Sequence, residues 1–292
     1  MSEYSAYIGR FAPSPSGPLH LGSLVAALGS FLQAKSHQGR WLVRIEDIDP
    51  PREMAGAAEL ILEQLHVHGL KWDEPVIFQS TRSEYYDDAL RQLRDAGMSY
   101  FCRCTRAEIK AQGGHVRCQA KGTVEKGSAI RFLNQQPLLE FDDGHLGRIR
   151  VDPDVAQEDF VIRRKDGFYA YQLAVVADDI AQGITEVVRG ADLLEVTVLQ
   201  LALYRGLGIN PPAWLHLPVA CLRPGQKLSK QNHAPALDTR KVLANLRSAL
   251  QILGFSPARL VEFAQAETLL EWAVKNWSVR QLPPQREWLV EL

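Results

Sequence analysis

Apolar and polar positions alternate along the chain in two different rhythms. Tyr7-Ile8-Gly9-Arg10-Phe11-Ala12 is a short run with strand character, closed by Pro13, Pro15, Gly17 and Pro18 in a loop. From Leu21 to about Lys35 the apolar residues Leu24, Val25, Leu28, Phe31 and Leu32 follow a helical period, and Gly39 lies just past the end. Trp41-Leu42-Val43-Arg44-Ile45 reads as a second strand buried on at least one face. Residues 53–68 read as a helix stopped by Gly69, and Ser83–Ala96 as another. Strand, helix, strand, helix predicts an α/β sheet with crossover helices.

The middle of the chain changes character. Tyr100-Phe101-Cys102 reads as a short strand, and Thr105-Arg106-Ala107-Glu108 matches a capping box that opens a short helix. Residues 112–128 are polar and Gly-rich. Phe160–Arg164 and Phe168–Tyr171 flank the turn Lys165-Asp166-Gly167, so a hairpin is expected there. About 99–167 reads as an insertion rich in short strands. The α/β rhythm then resumes with Gln172–Asp179 helical, Ile184–Arg189 a strand, Leu193–Leu207 a helix and Leu215–Leu222 a strand. Three helices are expected over 238–250, 257–264 and 267–277. The expected divisions are 1–98 and 168–236 for two halves of one nucleotide-binding domain, 99–167 for the insertion, and 237–292 for a short helical end.

Composition narrows the class. The 292 residues are 46% hydrophobic and 23% charged, which excludes a disordered or collagen-like chain. No apolar run approaches the ~18 residues that would span a bilayer, and Met1–Arg10 lacks a signal-peptide pattern. A cytoplasmic protein is expected, and the absence of a long heptad pattern points to a monomer. Lys+Arg number 33 and Asp+Glu 34, a net charge of −1, so a histone-like basic binder is excluded but a local nucleic-acid patch is not.

Two segments carry candidate chemistry. In Pro13-Ser14-Pro15-Ser16-Gly17-Pro18-Leu19-His20-Leu21-Gly22-Ser23 a strand ends and a helix begins near His20. A helix N-terminus offers unpaired N–H groups and partial positive charge to phosphate. Gly22 would admit a nucleotide close to the backbone, and His20 could donate to a phosphate oxygen. A Pro-rich loop before an ordinary helix would look the same. Lys227-Leu228-Ser229-Lys230-Gln231 follows Pro224-Gly225 and could bring two lysines to one polyanion, or be a solvated basic loop. No Gly-x-Gly-x-x-Gly follows the first strand, the Walker-like Gly122…Gly127-Ser128 lacks its lysine, and His-Glu-x-x-His and Gly-x-Ser-x-Gly are missing.

Three of the four cysteines cluster. Cys102-x-Cys104 and His115-x-x-Cys118 offer three thiolates and one imidazole, a common structural zinc set. Cys221 stands in an apolar stretch and reads as a buried free thiol. His66, His68, His145, His216 and His233 read as surface or capping residues, and Tyr85, Tyr86 and Trp272 as helix packing.

Taken together, the early Pro-Ser-Pro-Ser-Gly-Pro-Leu-His-Leu-Gly and the late Lys-Leu-Ser-Lys resemble the HIGH and KMSKS signatures of the class I aminoacyl-tRNA synthetases. Ser23 stands where the last His would be, Leu228 in place of Met, and Gln231 in place of the final Ser. Arg10-Phe-Ala-Pro-Ser-Pro-Ser-Gly and Arg44-Ile-Glu-Asp-Ile-Asp49 narrow the resemblance to the glutamyl branch, over about residues 5–235. After Gln231 only 61 residues remain (292 − 231), too few for a large helical anticodon-binding region, so the chain is similar to the truncated glutamyl-queuosine tRNA(Asp) synthetases.

The resemblance implies a Rossmann-like parallel sheet with an inserted zinc-bearing subdomain and a short helical C-terminal region. It also implies ATP-dependent, tRNA-independent activation of L-glutamate, ATP being used with Mg²⁺, and transfer to the queuosine base of tRNA(Asp). An atypical enzyme charging a tRNA 3′ end, or a catalytically silent RNA-binding paralogue, are the alternatives. By position, His20, Gly22, Ser23, Lys227 and Lys230 would meet ATP, with His20, Lys227 and Lys230 acting on the reaction. Arg10, Phe11, Ala12, Pro13, Ser14, Glu46, Tyr171 and Arg189 would bind glutamate: the arginines its carboxylates, Glu46 its ammonium. Ion pairs of Arg189 with Asp192, and of Glu46 with Arg44 or Arg52, are the plainer readings. The family carries zinc through three cysteines and a tyrosine. No tyrosine lies between Cys104 and Cys118, which leaves His115 or water as the fourth ligand.

Overall fold

Each strand of the first half is followed by a helix that recrosses the sheet, as parallel pairing requires. The computed structural model describes residues 6–111, 113–115, 125–228 and 234–290. β1 (Ile8–Phe11), α1 (Leu21–Ser36) and β2 (Arg40–Ile45) form the opening unit, with Ile8 opposite Arg40 and Phe11 opposite Val43. α2 (Ala57–Val67) leads to β3 (Ile77–Phe78), parallel to the end of β2, and then to α3 (Ser83–Asp95). The helix expected from residue 53 starts later. Pro50–Arg52 makes a separate 3₁₀ turn, and Gly56 at φ 75° caps α2 in a left-handed conformation that other residues resist.

The stretch between α3 and the helix that starts at Tyr171, expected from sequence to be an insertion, is an irregular β assembly. β4 (Ser99–Cys102) leads into α4 (Arg106–Ala111), whose capping box forms as expected: Thr105 N donates to Glu108 Oε2 at 2.6 Å, and Glu108 N to Thr105 Oγ1 at 3.3 Å. β5 (Ala129–Phe132) pairs antiparallel with β4 and, on its other side, with β8 (Val161–Arg163). Between them lie the hairpin β6 (Glu140–Asp143) and β7 (Gly147–Arg150) and the single-turn α5 (Pro153–Ala156). The Lys165-Asp166-Gly167 turn forms, but its second arm is only the bridge from Arg163 to Tyr169, because Tyr171 already starts α6 (Tyr171–Ala181).

β9 (Glu186–Gly190), α7 (Thr197–Gly206) and β10 (Ala213–Leu217) form a second parallel unit, with Val188 opposite Leu215. β9 lies along β1, joined where Thr185 N donates to Ile8 O at 2.9 Å. The order across the molecule is therefore β3-β2-β1-β9-β10, and its direction of growth reverses between β1 and β9. The single strand expected over Leu215–Leu222 is two. Pro218 has no N–H to donate, and beyond it β11 (Val219–Arg223) joins β12 (Gln226–Lys227) and β13 (Glu287–Leu289) in another sheet.

Two apolar clusters cover the sheet. On one, Leu28, Leu32 and Trp41 meet Leu246, Leu250 and Leu253 of α8 (Val242–Ile252) and its end. The short α9 (Pro257–Leu260) and α10 (Ala266–Lys275) complete that side. On the other, Tyr86 and Leu93 of α3 join Leu173, Leu203 and the insertion residues Phe132, Phe141 and Ile162. Cys221 is a buried free thiol as expected. His68 is not at the surface: it is 1% exposed, its ring held by Gln64 O and Asn245. Tyr85 does not pack inside either. It is 43% exposed and stacks under Arg82. No described helix is long and apolar enough to cross a membrane.

Candidate active site

In an open parallel sheet the strand ends diverge where the order reverses, leaving a crevice at their carboxyl side. A cavity of about 250 Å³ lies there. Arg10, Phe11 and Ala12 from the end of β1, Val188, Arg189 and Gly190 from β9, and Leu217 from β10 line it. The start of α1 closes one side with His20, Gly22 and Ser23, and Glu46, Tyr171, Asp192 and Lys227 complete it. Ten of the thirteen site residues expected for ATP and glutamate thus share one cavity. Ser14 lines a neighbouring cavity of about 370 Å³ that shares Glu46, and Pro13 accepts from Glu46 N at 3.0 Å through its carbonyl. Lys230 lies outside the described residues.

His20 is the N-cap of α1. Its Nδ1 accepts from Ser23 N at 3.2 Å, so a neutral ring carries its proton on Nε2. A side chain on Gly22 would press on the His20 ring at 3.1 Å and on Leu228 O at 3.4 Å. The glycine therefore makes room for the histidine and the late Lys-Leu segment. Lys227 Nζ meets Asp192 Oδ2 at 2.6 Å.

Beneath the cavity lies a buried charge network. Arg10 turns Nε and Nη2 to Asp179 at 3.0 and 3.2 Å, and Arg44 Nη1 meets the same carboxylate at 2.8 Å. Burial alone would raise the Asp179 carboxyl, but the two arginines hold it below the usual range. Glu46 is different. Its nearest cation is Arg44 at 3.6 Å, its Oε1 has no hydrogen bond, and burial pushes its pKa up to about 7 against the pull of Arg44 and Arg10. The pairing with Arg44, rather than Arg52, is the one that occurs. Tyr171 stands beside it, its phenol raised by burial and then by the Glu46 charge.

Arg189 makes no ion pair among the described residues, so the plain pairing with Asp192 does not form. Its Nε donates to His216 Nε2 at 3.2 Å, Nη1 to Gln200 Oε1 at 2.9 Å, and Nη2 to Thr197 Oγ1 at 2.8 Å and Leu193 O at 3.2 Å. Its guanidinium lies 4.8 Å over the Trp214 ring. His216, read from sequence as a surface or capping residue, is fully buried.

A family model described as tRNA synthetases class I (E and Q), catalytic domain, matches residues 8–128 and 117–282. The chain is 52% identical over 289 residues to the glutamyl-Q tRNA(Asp) synthetase of Shewanella oneidensis, covering 98% of this chain and 96% of that one. With the protein of the same name from Escherichia coli (strain K12) it shares 53% over 282 residues, covering 95% and 91%. It belongs to the glutamyl-Q tRNA(Asp) synthetase family. Among solved structures, a glutamate-tRNA synthetase from Elizabethkingia anophelis superposes with a TM-score of 0.80 at 25% identity, over 96% of this chain and 67% of that one. The α/β class I synthetase fold expected from the sequence is the fold observed.

In this glutamyl-Q synthetase family member the cysteine cluster lies in the insertion, sharing no residue with the cavity. Cys102 Sγ faces His115 Nε2 at 3.3 Å, and the donor atoms of Cys102, Cys104 and His115 lie within 4.8 Å of one another. Tyr100 OH stands 3.4 Å from His115 Nδ1, the kind of outer contact that orients a ligating imidazole. Two thiols and an imidazole nitrogen so placed suit a tetrahedral soft-ligand metal site. Cys118 lies outside the described residues.

Several functional neighbours were missed from sequence. The Asp178-Asp179 pair gave a signal, since two acids interrupt an otherwise apolar helix. Asp143 and His216 gave none, being 73 positions apart and joined only by folding.

Proposed function

We propose that this chain activates L-glutamate with ATP, without tRNA, and transfers the glutamyl group to the queuosine base at the wobble position of tRNA(Asp). One observation carries the choice of amino acid. Among the described residues, Arg10, Arg44, Arg82, Arg189 and Lys227 of the cavity and the charge network beneath it face Glu46, Asp178, Asp179 and Asp192, five positive groups against four negative, 5 − 4 = +1. Buried charge demands a partner. Free glutamate supplies a net −1: its carboxylates answer the arginines, Arg189 above all, and its ammonium answers Glu46.

In the first step a glutamate α-carboxylate oxygen attacks the α-phosphorus of ATP, and the bond to pyrophosphate breaks. His20 Nε2–H donates to a phosphate oxygen, the α1 N-terminus, which has no acid in its first turn, faces the same charge, and Lys227 with Lys230 offsets the charge on pyrophosphate. Mg²⁺ enters with ATP as its counterion. No protein nucleophile is required, so catalysis is positioning and electrostatics. In the second step a hydroxyl of the queuosine cyclopentene ring attacks the glutamyl carbonyl, an ester forms and AMP leaves. Cys102, Cys104 and Cys118 with His115 would hold one structural zinc, which ties the insertion together and takes no part in the chemistry.

The test is transfer of labelled glutamate to bulk tRNA from cells that make queuosine and from cells that do not. Label confined to the queuosine-containing pool is the expected result. Equal labelling of both pools would replace this reading with 3′-end charging.

A further inference from the structure

Arg189 is committed through four of the five N–H groups an arginine possesses, and every acceptor is neutral. The acceptor that fixes its Nε is His216, and what fixes His216 comes from the insertion. Asp143, at the end of β6, accepts with Oδ2 from His216 Nδ1 at 2.7 Å and from His216 N at 3.1 Å. Its Oδ1 accepts from His145 N at 3.0 Å and Leu146 N at 2.8 Å. Four donors converge on one carboxylate, the arrangement of an ionised acid. Burial would raise its pKa, and the bonds from His216 and Leu146 hold it low. An ionised carboxylate only accepts, so His216 Nδ1 bears the ring proton and Nε2 is left with its lone pair. Only that tautomer accepts the Arg189 Nε–H; a ring protonated on Nε2 would oppose a donor to a donor. The same hairpin is fastened to β10 where Gly144 N donates to Trp214 O at 2.7 Å.

We propose that Asp143 and His216 are positioning residues for the amino-acid site: the β6–β7 hairpin of the insertion fixes the His216 tautomer, and His216 fixes the plane in which Arg189 meets the substrate carboxylate. This rests on the reading that Arg189 binds a carboxylate of glutamate. It makes the inserted subdomain part of glutamate selection.

Two isosteric substitutions separate the halves of the relay. In His216→Gln the amide oxygen takes the place of Nε2 and still accepts from Arg189, while Asp143 keeps its backbone donors. In His216→Asn the amide nitrogen takes the place of Nδ1 and still donates to Asp143, but Arg189 Nε loses its acceptor. Glutamate-dependent pyrophosphate exchange is measured for both, with KM for glutamate and for ATP, alongside thermal melts. The expected result is a glutamate KM about tenfold higher in His216→Asn with ATP KM unmoved, the size of one lost hydrogen bond to a charged group. His216→Gln recovers most of the difference. Equal losses for both substrates, an unchanged glutamate KM in His216→Asn, or a His216→Gln as impaired as His216→Asn would overturn the relay while leaving the glutamate reading intact. A wild-type protein with no glutamate-dependent exchange would overturn both.

Discussion

At the scale of single residues, Glu46 is the group whose ionisation matters most. Its pKa of about 7 lies far above the ordinary carboxylate because burial outweighs Arg44 and Arg10. A carboxyl raised on folding stabilises the folded state below its unfolded pKa, and that contribution is lost as pH rises through about 7. The ammonium of the substrate needs the ionised form, so binding runs the other way. Glutamate affinity is expected to fall by about tenfold per pH unit below pH 7 and to level above it. Calorimetric titration across that range checks this, and a flat profile would remove Glu46 from the ammonium site. Glu46→Gln should abolish glutamate binding yet raise the substrate-free Tm by about 3 °C near pH 8, since the buried charge is gone. Lys230 is the other decisive single residue. Lys230→Ala is expected to slow glutamate-dependent pyrophosphate exchange by roughly 10²-fold, the typical effect of removing one donor to developing charge. Near-normal exchange would take the late lysine out of the reaction.

At the scale of elements, function is set by where segments end. Pro218 ends β10 and sends the chain into a second sheet, so Leu217, Pro218 and Val219 turn along the cavity wall while β12 brings Lys227 back to it. His20 ends the loop and begins α1, which orients its own ring by capping. The insertion adds two separate devices. One is the hairpin that holds His216. The other is the cysteine–histidine cluster, where β4 and the segment after α4 meet. Metal analysis of protein purified without chelator should find about one zinc per chain, the stoichiometry of a closed structural site. Stripping it should lower the Tm and impair transfer to tRNA, while tRNA-independent exchange stays within a few-fold, because no cluster residue lines the cavity. Protein with well under one zinc per chain and an unchanged melt would remove the metal from the fold.

At the scale of the whole molecule, a net charge of −1 gives no overall attraction to RNA, so binding must come from the placement of individual basic groups. Each phosphate they neutralise releases counterions. Raising salt from roughly 50 to 200 mM is therefore expected to weaken glutamyl transfer by an order of magnitude or more while leaving adenylation nearly unchanged. Equal salt sensitivity of both steps would place the effect in the catalytic cavity instead.

The sequence by itself determined the main helices and strands of the α/β unit, but not most of the short strands of the middle and the end of the chain. Local periodicity set β1, α1, β2 and α3 to within a residue or two, because helix and strand patterns depend on near neighbours. The family resemblance, rather than residue pattern alone, marked Arg10, Glu46, Tyr171 and Arg189, and all four line the cavity. Only the tertiary structure decided what those residues experience. Arg10 is neutralised by Asp179 and Arg189 is not, although nothing local distinguishes two strand-end arginines. Glu46 has a raised pKa because of what is buried around it. Asp143 and His216 are joined across 73 positions, and the strand expected over Leu215–Leu222 divides between two sheets. Local pattern fixes backbone conformation through short-range sterics and solvation. Charge, tautomer and ligand geometry depend on distances that exist only once remote segments are packed together.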